Sequence, residues 1–422
     1  MKGRLRSGRL AGIVTLVCVV SVAGCSGTRV APSVRVGPSA AVMPSAGVVP
    51  SAGVVPSGGW TEATVEEPVA PGPPGPVPTS VFCSPCHAPV EASLAAVAAA
   101  GSAFVAVGIE FPPPRAAAWF SSDGTAWHRA TGLTAPDGSL MAAVEAGPGG
   151  FVAVGGIGSG AAAWTSPDGR AWQQGTVAAP AVAGTVRMDA VVAGPAGLVA
   201  AGGASVGSSP IRAVTWRSSD GTRWSAGADT PSFAGATIAG LAAGRSRIVA
   251  VGSAVATDGL RSGATWWSAE GRTWSPGAAD PSFSGAQLLA VTAGGPGFVA
   301  VGSADGGLRA AAWWSVDGLH WTPAPGGPGF TNHGQRISMT AVTAGGPGFV
   351  AAGNRDSAGN GSAAIWVSRD GIAWQRVPDP VSFGGAELAG VAAGNPGVVA
   401  VGAIGLPDNW DAAAWLSRAP GY

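Results

Sequence analysis

Short apolar runs separated by turn residues follow one another through residues 91–422, and one pattern among them repeats. An apolar run ends in Trp, and Ser, Asp-Gly and a second Trp follow at constant spacing, as in AAAWFSSDGTAW (116–127). Asp-Gly between apolar runs predicts a tight hairpin turn, because Gly accepts a positive φ and the Asp side chain caps the turn. An upstream half, such as AVTAGGPGFVAAGN (341–354), predicts another hairpin. Each repeat therefore predicts four strands, which we name a to d.

The spacing of the repeats predicts their number and arrangement. The first Trp of each copy is at 119, 164, 216, 266, 313, 366 and 415. A repeat of about 45–50 residues with four strands is typical of a β-propeller blade. The strands are almost continuously apolar, which is expected of sheets that are covered on both faces. The sequence thus predicts an all-β, seven-bladed β-propeller with four antiparallel strands per blade, in which most Trp side chains fill space between blades.

The last repeat begins at Ala412 and leaves no room for its fourth strand. The segment SGGWTEATV (57–65) resembles the end of a repeat and could supply that strand, which would close the ring and pair an open edge. We therefore expect residues 59–422 to form the propeller. A Pro-rich insertion, residues 66–90, interrupts it before the first complete blade.

The first 25 residues have the features of an export signal. Four basic residues precede an apolar run, Leu10–Gly24, which is too short to span a bilayer stably. The VAGC sequence that ends at Cys25 resembles the lipobox of bacterial lipoproteins, which implies acylation of Cys25 and an anchor on the extracytoplasmic face of the membrane. An ordinary secretory signal is the alternative. Residues 26–58 repeat Pro-Ser-Ala-Gly-Val motifs and predict an extended tether.

Charge argues against nucleic acid as a partner. The chain has 23 basic and 23 acidic residues, and the first 25 residues hold four basic and no acidic ones. Removal of the signal would leave 19 basic and 23 acidic residues, a formal charge of −4. Lys2 is the only lysine. Nucleic-acid binding requires a cluster of cationic contacts to phosphates, so no nucleic-acid partner is predicted. We also expect the protein to be a monomer.

Cys83, Cys86 and His87 match the C-x-x-C-H pattern of covalent haem attachment. Haem c domains surround this motif with helices, whereas here Pro residues flank it and β-strands follow. A local disulfide between Cys83 and Cys86 is favoured for an exported protein, and free thiols or a metal remain alternatives. The other histidines are scattered over the repeats, so the sequence predicts no metal site and no cofactor.

The Ser-x-Asp-Gly-x-x-Trp element resembles the Asp box of sialidase-type (BNR) repeats and is also similar to kelch repeats. Both resemblances imply a propeller in which the repeated motif is structural. The acidic residues of the motif are therefore expected to cap turns; they are Asp123, Asp168, Asp220, Glu270, Asp317 and Asp370. Sialidase chemistry would use a tyrosine nucleophile, and the only tyrosine is Tyr422 at the end of the sequence. We predict no catalytic residue, although a carboxylate pair is conceivable.

Ligand-binding candidates lie in the b–c connections, whose lengths vary most. Arg115, Arg212, Arg261 and Arg309 each precede the Trp of strand c by four or five residues, and they could form a basic ring near the channel mouth. Solvated loop ends or capped carbonyl groups are the alternative. Trp410 and Asp411 are further candidates, because a large aromatic residue among polar ones is common at binding hot spots. The alternative is that the ring of Trp410 packs on the last blade or fills the channel mouth.

The sequence favours a lipid-anchored, extracytoplasmic β-propeller that binds a protein or glycan of the cell envelope without catalysing a reaction. A glycosidase or lyase of the sialidase-like or kelch-like group is the alternative, and a haem protein comes third.

Phe residues nine positions after the Trp of strand d are expected to lie between blades; they are Phe233, Phe283, Phe330 and Phe383.

Overall fold

The computed structural model describes residues 59–66 and 91–418, apart from 148, 208, 257–258, 346–347, 358–359, 379–382 and 407–408. These residues form antiparallel sheets that are joined into seven blades. The prediction of an all-β, seven-bladed β-propeller is confirmed. The described part of the chain contains no helix with the length and apolar character of a membrane span.

Each blade contains four antiparallel strands in the order a-b-c-d. Strand a of blades 1 to 7 is Glu91–Ala100, Ser139–Gly147, Thr185–Gly194, Thr237–Ala243, Gln287–Gly294, Ile337–Gly345 and Ala386–Ala393. Strand b is Ala103–Phe111, Gly150–Ile157, Gly197–Val206, Ile248–Val255, Gly297–Ala304, Gly348–Ser357 and Val398–Leu406. Strand c is Arg115–Ser121, Gly160–Ser166, Ser209–Ser218, Arg261–Ser268, Arg309–Ser315, Asn360–Ser368 and Asn409–Ser417. Strand d is Ala126–Arg129, Gln173–Gln174, Arg223–Ala226, Ser275–Pro276, Thr322–Pro323, Gln375–Arg376 and Trp60–Glu62.

Strand a of each blade lies beside strand a of the next blade, and blade 7 lies beside blade 1. Strand a is therefore innermost, and strands c and d lie towards the outside. Since the four strands are antiparallel, the a–b and c–d turns share one face, which we call the turn face. The b–c and d–a connections share the opposite face, which we call the long-loop face. Among the described residues, complete short 3-10 helices occur in three d–a connections: Pro231–Phe233, Pro281–Phe283 and Pro328–Phe330.

The pairing of strands a and b contains the same irregularity in all seven blades. Strand a carries one extra residue, a β-bulge, as between Leu288 and Ala290 in blade 5. A Gly of strand b lies opposite the residue just before each bulge, as Gly302 lies opposite Leu288. A Cβ atom at Gly302 would lie 1.8 Å from the carbonyl oxygen of Gln287, and the other six glycines would meet strand a within 2.1 Å. Only Gly allows this close approach.

Tryptophan and phenylalanine side chains fill the space between blades, as predicted. The Trp of strand c is at most 2% exposed in all seven blades. Phe233, Phe283, Phe330 and Phe383 are at most 4% exposed, and each belongs to a core cluster shared by two blades. Phe233 contacts Trp266 and Phe383 contacts Trp415 at ring-centroid distances of 5.8 and 5.4 Å, both edge to face. The recurring Phe residues therefore belong to the inter-blade core.

The N-terminal segment closes the ring, which confirms the prediction made from residues 57–65. Trp60–Glu62 pairs antiparallel with Ser417–Trp415 and becomes strand d of blade 7. The next residues cross to blade 1, where Thr64–Val65 pairs parallel with Ala126–Trp127 as a fifth strand. The indole N–H of Trp119 donates to the Glu66 carbonyl at 3.1 Å. One short segment therefore joins the first blade to the last.

Several sequence predictions concern residues outside the described part of the chain. They are the signal peptide with its candidate lipid-attachment residue Cys25, the tether up to residue 58, and most of the insertion with Cys83, Cys86 and His87. Tyr422 also lies outside it. What the sequence indicates about these segments therefore stays a prediction.

Candidate functional site

The repeated Asp-Gly turns of the turn face use their polar groups internally. The Ser side chain at the end of strand c accepts a hydrogen bond from the backbone N–H of the turn Gly at 2.8–2.9 Å in six blades. Asp Oδ1 accepts from the backbone N–H two residues later, as from Thr125 to Asp123 at 2.8 Å. Hydrogen bonds from the Thr125 side chain and backbone lower the pKa of Asp123 to about 2. The prediction of turn caps is confirmed for the five aspartates.

Glu270 is the exception in this series. In the described part of the chain, its carboxylate accepts no backbone hydrogen bond and lies 4.0 Å from the Nε atom of Arg272. The additional methylene group of Glu places the carboxylate beyond the turn N–H groups, and the Ser268 hydroxyl alone accepts the Gly271 N–H at 2.8 Å. The prediction that Glu270 caps its turn is therefore wrong.

The four candidate arginines lie at or near the start of strand c, on the long-loop face. Arg115 pairs with Asp137 at 2.6 Å, and Arg309 pairs with Asp305 at 2.7 Å. Arg212 contacts Asp229 and also donates to the Thr230 carbonyl at 3.2 Å. Arg261 donates to the carbonyl groups of Gly235 and Ser253 at 3.2 and 3.3 Å. Each guanidinium group therefore holds a loop of its own blade or a d–a connection.

The structure does not bring these arginines together at the channel mouth. Strand c is third from the centre of each blade, and strands lie about 4.8 Å apart. Two strands therefore separate each arginine from the innermost edge, and the expectation of a basic ring at the channel mouth is wrong. Ligand binding by any one of them stays a prediction.

Trp410 and Asp411 belong to strand c of blade 7 rather than to a loop. Trp410 pairs with Gly405 and Asp411 with Ile404, because the b–c hairpin continues to the pair Leu406 and Asn409. The Trp410 side chain is half-buried, and its indole N–H is buried without a hydrogen-bond acceptor. The placement of Trp410 in a loop is therefore wrong.

Asp411 lines a recess of about 420 Å³ where the N-terminal segment leaves blade 7. Glu62 and Thr64 lie on the other side of this recess. The structure thus places Asp411 at an accessible cavity, and Trp410 is not among the residues that line this recess. Ligand binding by both residues stays a prediction.

A second recess, which the sequence did not indicate, opens on the long-loop face between blades 5 and 7. Its volume is about 510 Å³, and we call it the blade 6 recess. It is lined by Leu308, residues 334–336, Asp356, Gly361 and Glu387. Burial raises the pKa of Glu387, and the nearby charge of Asp356 raises it further. In the described residues, neither carboxylate forms an ion pair within 4.0 Å.

The long-loop face also carries exposed apolar side chains. Val206, Val255, Leu260 and Leu308 are 60%, 50%, 67% and 47% exposed. Val206 and Val255 end strand b of blades 3 and 4, and Leu260 and Leu308 lie in the b–c connections of blades 4 and 5. We call these four residues, at the b–c ends of three consecutive blades, the apolar arc. The only other large hydrophobic side chain exposed to this extent among the described residues is Val316, on the turn face. Isolated exposed apolar residues are ordinary, but these four are grouped on neighbouring blades, which makes this part of the long-loop face a candidate interaction surface.

Charged residues on the innermost strands are few and partly buried. Arg187 and Asp189 form an ion pair of 2.6 Å on strand a of blade 3. Burial raises the pKa of Asp189, an effect that Arg187 opposes. Burial also raises the pKa of Glu145 in blade 2 to about 7, although its carboxylate accepts a hydrogen bond from the Ala193 backbone. Among the described residues, no group of three or more His, Cys, Asp and Glu side chains is placed to hold a metal ion.

Comparison with known proteins supports the fold. No family model matches the sequence, and no curated protein matches it. Among solved structures, YCF48 bound to a D1 peptide is similar with a TM-score of 0.50 and 14% identity, over 79% of this chain and 94% of that chain. Trypanosoma rangeli sialidase has a TM-score of 0.43 and 12% identity, over 77% of this chain and 54% of that one. At these identities the likeness concerns the propeller fold alone.

Proposed function

We propose that this propeller is a lipid-anchored, extracytoplasmic scaffold that binds a protein or glycan of the cell envelope through its long-loop face, without catalysing a reaction. The observation that carries the proposal is the apolar arc at the b–c ends of three consecutive blades. The turn face offers a contrast, because its repeated Ser and Asp side chains are engaged in their own turns. The long-loop face, with its exposed apolar side chains, is therefore the face suited to recognition of a partner.

The non-catalytic part of the proposal rests on the residues available for chemistry. The aspartates of the repeated motif are turn caps with hydrogen-bonded carboxylates. The described residues include no tyrosine, the nucleophile that a sialidase-like mechanism would use, because the single tyrosine of the sequence is Tyr422. YCF48, a propeller of similar fold, is described with a bound peptide, which is compatible with a binding role here.

Photo-crosslinking in the native cell tests the proposed binding face. A photoreactive amino acid at Leu260 or Leu308, on the long-loop face, is expected to yield discrete adducts of higher mass. Val316 is the matched control, since it is equally apolar, is 70% exposed and lies on the turn face. Digestion of the adducts with protease or glycosidase would identify the partner as protein or glycan. Adducts from position 316 alone would contradict the proposal.

Membrane anchoring is tested at Cys25. Replacement of Cys25 by Ser is expected to move the protein from the membrane fraction to the soluble extracytoplasmic fraction, because the thiol that carries the lipid is lost. Fractionation followed by immunoblotting measures the distribution, and the Cys18→Ser variant controls for substitution within the same segment. A Cys25→Ser protein that stays in the membrane fraction after a high-salt wash would exclude lipidation at this residue.

A further inference from the structure

We propose that the apolar arc and the blade 6 recess form one continuous site for an extended protein segment, whose apolar side chains contact the arc and whose Lys or Arg side chain enters the recess. Leu308 belongs to both features, so the arc and the recess meet at this residue. This inference rests on the proposed function and specifies the chemistry of the partner.

The charge of the recess indicates which side chain it accepts. Asp356 and Glu387 line it together, and in the described part of the chain neither is paired with a cation. The only basic residue in the lining is Arg336, and its Nη1 atom lies near the Gly307 backbone, 3.5 Å from where a Cβ of residue 307 would be. A Lys or Arg side chain of the partner, placed between the two carboxylates, would offset their mutual repulsion and favour their charged forms.

The lining also brings the carboxylate of Glu387 to a defined position. A Cβ atom at Gly361 would lie 2.5 Å from Glu387 Oε1, so Glu387 packs directly over the Gly361 backbone. Asn332 is 5% exposed and donates to the Asp356 carbonyl at 2.6 Å, which holds the Asp356 backbone in place. Packing therefore restrains the Glu387 carboxylate, and a hydrogen bond restrains the backbone that carries Asp356, as a binding site for a fixed cation requires.

The arc indicates an extended segment rather than a single small molecule. Its four side chains are distributed over the b–c ends of three blades. An extended peptide advances about 3.3 Å per residue and presents alternate side chains on one side. It can therefore contact several connections in succession while its other side stays in solvent. A glycan would leave the four apolar side chains without apolar partners.

Fluorescence anisotropy with synthetic peptides tests the proposal on the full chain in detergent. The probes are 12-residue peptides with Leu or Val at alternate positions and with Arg, Gln or Glu near one end. We expect the Arg peptide to bind about tenfold more tightly than the Gln peptide, and the Glu peptide to bind most weakly. The double variant Asp356→Asn with Glu387→Gln should abolish this order. The double variant Leu260→Ser with Leu308→Ser should weaken binding of the Arg and Gln peptides about tenfold.

Val316→Ser is the matched control and should leave every affinity unchanged, and melting curves establish that each variant is folded. The inference is overturned if no peptide binds at about 1 mM, if affinity does not depend on the Arg, or if Val316→Ser weakens binding as much as the arc variant. Photo-crosslinks from the long-loop face together with any of these results would leave the proposed function standing and reject only this inference. Failure of both experiments would reject both.

Discussion

Deletion of residues 59–66 is expected to lower the free energy of unfolding of the propeller by about 5 kcal/mol. The deletion removes strand d of blade 7, the Trp60 ring that lies 6.0 Å from Phe383, and the fifth strand of blade 1. Loss of a packed Trp side chain typically costs about 3 kcal/mol or more. The indole N–H of Trp119 would also lose its acceptor, the Glu66 carbonyl, which costs about 1–3 kcal/mol.

The matched control is deletion of residues 26–55, a longer segment of the expected tether, which should leave stability unchanged. Urea unfolding followed by tryptophan fluorescence measures both variants against the full chain. We also expect the 59–66 deletion to associate at high concentration, because the outer edge of Asn409–Ser417 becomes available for pairing. Equal unfolding midpoints for the two deletions would show that the segment does not close the ring.

Replacement of Gly302 by Ala is expected to cost about 3 kcal/mol, a large effect for one methyl group. The added Cβ would lie 1.8 Å from the carbonyl oxygen of Gln287. Both atoms belong to the backbone region of adjacent strands, so no side-chain rotation relieves the contact. Strands a and b of blade 5 would have to separate at the bulge beside Leu288. The shift would then reach the neighbouring blade, because the interior is closely packed.

Gly326→Ala provides the control for this substitution. No atom lies within 4 Å of a Cβ built at Gly326, so we expect a change below about 0.5 kcal/mol. Thermal unfolding of the two variants under the same conditions makes the comparison. If Gly302→Ala unfolds at the same temperature as Gly326→Ala, the blade can widen at the bulge without loss, and the steric argument fails.

The apolar arc and the blade 6 recess lie on the face of the propeller that the repeated turns do not constrain. The turns of the turn face are constrained, because Ser315 and Asp317 satisfy backbone N–H groups there. The b–c connections are free of this constraint, and their sequences differ from blade to blade. The propeller can therefore vary its long-loop face while the inner strands and the turn face stay uniform. The same separation leads us to expect any partner on the long-loop face.

The sequence by itself determined the blade count, the turn chemistry and the closing strand. These features depend on local or countable properties: Asp-Gly between apolar runs favours one turn geometry, and the resemblance of residues 57–65 to the end of a repeat indicated the strand that pairs with the last blade. Asp123 and Trp60 therefore took their predicted places. The burial of Phe233 followed from its recurrence at the same repeat position.

The tertiary structure decided the contacts that depend on register and on side-chain length. Glu270 occupies the position of an aspartate, but one additional methylene group takes its carboxylate away from the turn N–H groups. Arg115 and Arg261 recur in sequence, yet each is held by groups beside its own strand, and two strands separate it from the channel. Trp410 is in a strand because the hairpin register extends to Leu406 and Asn409.

The blade 6 recess shows most clearly what only the tertiary structure decided. Leu308, Arg336, Asp356 and Glu387 belong to three different blades and their connections, and they are spread over 80 positions of the chain. No local pattern links them, since each was an ordinary loop or strand-end residue in the sequence. Their proximity results from the packing of blades 5, 6 and 7 side by side, strand a against strand a. This packing depends on contacts summed over many residues, which sequence periodicity does not contain.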